Sequence, residues 1–117
     1  MKQLKRRKKD KLMEIEDVIV QSIFPYKTTK NVLIFGGHNS WLTKMKYYVP
    51  NANYSEIINN KAISNADIIC IQNNCISHSD YYNIMTKAKN NNTEVMYFNF
   101  ASAKKCALQL YMKMEGQ

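Results

Sequence analysis

Two short stretches hold the residues best suited to bind or react. In "NNCISHSD", residues 73–80, Cys75 and His78 stand three apart; in "GGHNS", residues 36–40, a glycine pair leads into His38 and Ser40. The chain has only two histidines and three cysteines, so both histidines and one cysteine fall in these two places. A thiol beside an imidazole can act as an activated nucleophile. Cys75 and His78 with His38 also offer three ligands to a thiophilic ion such as zinc, with one position left open. Gly36 and Gly37 permit a tight turn whose amides approach a bound anion, and Ser40 and Ser77 add hydroxyls.

The motif patterns narrow these options. "GGHNS" lacks the third glycine of the dinucleotide fingerprint and is not a Walker loop. A Cys-x5-Arg phosphatase loop starting at Cys75 needs arginine where Tyr81 stands, and the only arginines are Arg6 and Arg7. Asp80 is the one carboxylate beside these loops, so paired acid–base work has no second acid. Binding is therefore favoured over catalysis, with a thiol or metal enzyme as the alternative. Glycines that serve only a turn, and serines that only cap helices, are a further reading of the same residues.

These loops must be carried by regular elements, and the apolar pattern supplies them. "NVLIF" predicts a short buried strand over 32–36, followed by a helix in "SWLTKMKYYV" with Trp41, Met45 and Tyr48 on one face and Asn39 or Ser40 as cap. "ANYSEI" predicts a weak second strand, and "INNKAISN" a connection with one helical turn. "ADIICIQ" is apolar at nearly every position, as in a strand covered on both faces. Helical spacing of Tyr81, Ile84, Met85 and Ala88 follows, then a fourth strand in "EVMYFNF" and a last helix capped by Ser102. Alternating strands and helices of these lengths imply a parallel sheet with crossover helices on both faces. The expected fold is α/β: a Rossmann-like or flavodoxin-like domain with a four-stranded sheet in order 2-1-3-4. In that order the crevice at the carboxyl ends of strands 1 and 3 has "GGHNS" and "NNCISHS" as its lips, with Asn99 as a rim contact from strand 4.

The 117 residues suit one domain at residues 31–117, preceded by a basic arm, an amphipathic helix and a linker at 1–30. The net charge of +8 is concentrated in residues 1–11, which alone contribute +6. Lys5, Arg6, Arg7, Lys8 and Lys9 offer phosphate contacts to a nucleic acid, or form a solvated tail. Leu12, Ile15 and Ile19, with Val18 beside them, form a stripe that packs on the domain or pairs with a second copy as a homodimer. No apolar run is long enough to span a bilayer, and "KLMEIEDVIV" breaks any signal-peptide pattern. An odd cysteine count then points to reduced thiols and a cytoplasmic setting.

Over roughly residues 31–112 the combination of "NVLIFGGH" and "ADIICIQNNCISHSDYYNIMTKAKNNNTEVMYFNF" resembles a bacterial family, domain of unknown function 2325 (DUF2325). The glycine pair and the Ser77-His78 pair carry the resemblance; Asn73 and Asn74 depart from it, standing where an acid or threonine is expected before the cysteine. The resemblance implies a small Rossmann-like domain without an established activity. The expectation is a non-enzymatic regulatory or sequestering domain. It holds a phosphate-bearing ligand, such as a nucleotide, through Gly36, Gly37, His38, Ser40, Cys75, Ser77, His78 and Asn99.

Overall fold

A computed structural model describes residues 17–55, 60–74 and 76–116. The basic arm, Leu12 and Ile15 therefore lie outside the described residues, as does Cys75. Four strands, β1 (Val32–Phe35), β2 (Asn53–Ser55), β3 (Ile68–Ile71) and β4 (Glu94–Tyr97), form one sheet in the order β2-β1-β3-β4. Every pairing is parallel, with Phe35 opposite both Ser55 and Ile71, and Ile71 opposite Tyr97. The helices are α1 (residues 17–23), α2 (Asn39–Tyr48), α3 (Asn60–Asn65), α4 (His78–Asn90) and α5 (Ala103–Glu115). The protein is an α/β, Rossmann-like three-layer domain.

Alternation along β1 and β3 builds both layers, because successive side chains leave a strand on opposite faces. Val32, Ile34, Ile68 and Cys70 pack with Trp41 and Met45 of α2 and Cys106 and Leu110 of α5. Leu33, Phe35, Ile69 and Ile71 pack with Ile63 of α3 and Ile84 and Ala88 of α4. Residues apolar at every position are thus what a central strand buried on both sides requires. The strand ends at Phe35, one residue before the expected limit, because Gly36 and Gly37 turn the chain with φ of +89° and +94°.

Local sequence sets the helix ends. Ser77 and Ser102 cap α4 and α5, their hydroxyls accepting from the amides of Asp80 and Lys105. The α4 C-terminus closes as a Schellman turn: Thr93 N–H donates to Ala88 O at 2.9 Å, and Asn92 occupies the left-handed region at φ +54°. The cap of α2 differs from expectation. His38, not Asn39 or Ser40, is the N-cap residue, with extended backbone and no capping bond from its side chain.

In α1, Val20 and Ile23 pack against the core between α2 and α5, while Val18 and Ile19 are exposed. The segment that follows is sealed by aromatic contacts of Phe24 with Tyr48 at 5.1 Å and of Tyr26 with Tyr111 at 5.0 Å. Tyr26 also donates its hydroxyl to Glu115 at 2.8 Å. No helix among the described residues is long and apolar enough to cross a membrane.

Candidate functional site

The connection leaving β1 runs through α2 to β2, and the one leaving β3 runs through α4 to β4 on the other face of the sheet. Neighbouring strands therefore send their chains apart, and a crevice must open at their carboxyl ends. The two tips meet there. Gly37 N–H donates to Asn74 O at 2.7 Å, joining the β1–α2 loop to the β3–α4 loop.

This contact explains the glycine pair. A Cβ on Gly36 would lie 1.9 Å from Gln72 O, and one on Gly37 would lie 2.3 Å from the Trp41 ring. Both residues also have a positive φ that other residue types rarely adopt. The glycines therefore let one loop press against the other, and the Gly37 amide is spent on that contact rather than offered to a ligand.

Beside the junction lies a cleft of about 470 Å³, lined by Phe35 of β1, by Gly36 and Gly37 of the loop after it, and from the start of α2 by His38 and Asn39. Leu42 and Lys46 extend this wall along α2, Tyr54 and Ser55 close it from β2, and Ile76, Asp80 and Ile84 from the α4 side. Asn39, Leu42 and Lys46 share one helix face, so that wall runs about 10 Å from the first turn to the last. Lys46 Nζ sits 5.8 Å from the Tyr54 ring centroid, a cation–π contact. The Tyr54 hydroxyl is held between Val49 O at 2.7 Å and Met45 O at 2.9 Å. Burial, and then the neighbouring Cys70, pushes its pKa up, so it stays a neutral donor. The cleft thus combines an apolar floor with a cation, a carboxylate, an imidazole and an amide side chain.

His78 does not share this cleft. It opens α4 on the far side of Ile76 and, with Asn73, Ser77, Tyr81, Tyr82 and Tyr97, lines a second hollow of about 550 Å³. Ile76 is in the lining of both. The two loops expected to form one crevice are adjacent, yet their histidines face separate hollows. Ser40 is exposed on the first turn of α2, outside the described lining of either. Asn99 is exposed, and its N–H donates to Gln109 Oε1 at 2.9 Å. Among the described residues no group of three His, Cys, Asp or Glu side chains is placed to hold a metal ion; the set of His38, Cys75 and His78 includes a residue outside them.

The sequence reading missed Lys46, Tyr54 and Ser55. Lys46 was detectable, since it follows Asn39 and Leu42 at helical spacing and so lies on the same face of α2. Tyr54 and Ser55 required the β1–β2 register.

The remaining cysteines belong to the core. Cys70 and Cys106 are buried free thiols. Burial first, and Glu94 second, raises Cys70 to about 12, and burial raises Cys106 as well. Cys106 Sγ donates to Phe100 O at 3.1 Å, and Gln72, itself buried, bonds the same carbonyl at 3.0 Å, tying the end of β3 to the β4–α5 loop. Neither thiol is poised as a nucleophile.

No protein-family model, no curated protein and no solved structure matches this chain.

Proposed function

We propose that this protein is a non-enzymatic binding domain that holds a phosphate-bearing small molecule, of the nucleotide or sugar-phosphate kind, in the cleft at the carboxyl ends of β1 and β2. The observation that carries this reading is the cleft's lining beside the β1–β3 switch point: Lys46 and the first turn of α2 on one wall, Asp80 on the other. A lysine and the amides of a helix start favour an anion. A carboxylate does not, but it accepts well from a sugar hydroxyl. The pairing therefore suits a ligand carrying both groups better than it suits a bare anion.

Binding rather than turnover fits the inventory of groups. Among the described residues the cleft's lining holds a single carboxylate and no thiol. The role is regulation or sequestration of the ligand in a reducing cytoplasm, where the two buried thiols stay free.

The test is thermal denaturation of the full chain with and without AMP or inorganic phosphate. A ligand that binds only the folded state raises the transition temperature with concentration. Stabilisation that Lys46→Ala reduces supports the assignment. Stabilisation unchanged in that variant, or none with either compound, removes it.

A further inference from the structure

The tyrosine-lined hollow beyond Ile76 has no role in the anion site just described. We infer that it is a nucleobase-binding subsite, one that takes the planar heteroaromatic ring of a ligand whose phosphate and sugar occupy the neighbouring cleft. The assignment rests on the proposed function for its second half only; the hollow's own chemistry argues for the first.

That chemistry is aromatic and neutral. Tyr81, Tyr82 and Tyr97 contribute three rings, Ile76 is the only aliphatic side chain in the described lining, and no lysine or arginine is among them. A bare anion would find no permanent cation here, and an aliphatic chain would find little aliphatic wall. A planar ring finds faces to stack on and, at its edge, the Asn73 amide, the Ser77 hydroxyl and the His78 imidazole as hydrogen-bonding groups.

Two of the walls are fixed before any ligand arrives. The Tyr81 and Tyr97 hydroxyls bond each other at 2.9 Å, and Tyr97 also donates to Met85 Sδ at 3.2 Å. The bond from Tyr81, followed by burial, raises the Tyr97 pKa to about 12. Tyr82 differs. Its side chain is 65% exposed, and its ring lies 5.5 Å from that of Tyr81 at an interplanar angle of 77°. An exposed tyrosine beside a rigid aromatic corner gains most by covering its face with a second flat ring.

The neighbouring cleft supplies the rest of the ligand. Ile76 is common to both spaces, and Asp80 lines the cleft one helical turn from Ser77 and next to Tyr81 in the chain. A sugar hydroxyl bonded to Asp80 is therefore held next to Tyr81 in the chain, whose ring lines the hollow.

Adenosine, inorganic phosphate and AMP separate the two halves, with guanosine, cytidine and uridine as further nucleosides, each titrated into the full chain and followed by amide chemical shifts. Tyr82→Ala weakens adenosine and AMP about fivefold or more, the range of base–aromatic stacking, and leaves inorganic phosphate unchanged. Tyr82→Phe keeps adenosine binding, because the ring and not the hydroxyl stacks. Lys46→Ala does the converse, weakening phosphate and AMP but not adenosine. The subsite is overturned if adenosine, guanosine, cytidine and uridine all fail to bind, or if they bind Tyr82→Ala as well as the parent protein. If phosphate then still binds through Lys46, only the subsite falls. If the nucleosides bind through Tyr82 while phosphate is inert, the subsite stands and the anion cleft falls.

Discussion

The amide of Gly37 donates to the carbonyl of Asn74 at 2.7 Å, so two loops 37 residues apart in sequence are joined backbone to backbone at the carboxyl edge of the sheet. That bond holds against each other the two loops that line the cleft and the hollow. It also changes what the glycine pair means. Each glycine stands where a side chain would collide with the other loop or with Trp41.

Gly36→Ala is accordingly the most damaging small substitution in the site. It forces a Cβ against Gln72 O and a positive φ on a residue that resists it. A loss of about 3 kcal/mol or more is expected. Urea unfolding followed by circular dichroism measures it; a loss below about 1 kcal/mol would mean that the two loops do not meet as described.

Lys46→Ala separates binding from folding. The side chain is exposed and loses only its cation–π contact with Tyr54, so the unliganded stability shifts by no more than about 1 kcal/mol. Loss of a charge-assisted contact to phosphate weakens AMP about tenfold, and added salt weakens the parent protein's binding in the same direction. Calorimetric titration of both proteins provides the comparison.

The buried thiols make stability depend on alkaline pH. Cys70 rises from an ordinary 9.0 to about 12, so the unfolded chain releases its proton first. Between those values the folded state holds more protons, and the stability contributed by the neutral thiol, full below about 9, falls as pH rises. Tyr26, raised from 10.0 to about 12 by burial and by its bond to Glu115, acts with the same sign over the upper part of that window. Denaturant midpoints should decline from pH 9 to 11, and Cys70→Val should flatten part of the decline. At pH 8 a thiol reagent should spare Cys70 and Cys106 in the native protein and label both in urea.

Gln109 fastens the end of β4 by donating to Tyr97 O at 2.8 Å and accepting from Asn99 N–H at 2.9 Å. Gln109→Ala leaves both main-chain groups without this partner and should cost about 1–2 kcal/mol. Amide exchange at Asn99 should accelerate more than exchange within β1 and β3.

The layers of this fold are legible in the sequence because burial imposes period and composition together. Ile68 to Ile71 are apolar without a break and the strand they form is covered on both faces; Ala103, Cys106, Ala107 and Leu110 recur at helical spacing and are all buried. The strand order follows from the pattern of connections. The site is less legible, because loops have no period. His38 and His78 each follow a strand tip, but that they line different hollows is a matter of how the two loops fold, which spacing does not encode. Lys46 lies two turns from the loop that marks the site, and Tyr82 reads from the sequence as one more residue in a helix.

The most direct test is an amide chemical-shift map of the full chain titrated with AMP. The account predicts the largest changes at residues 36–42 and 46, at 76–80, and at Tyr82. Changes confined to residues 1–11 and abolished by moderate salt, or no changes at all, would contradict it.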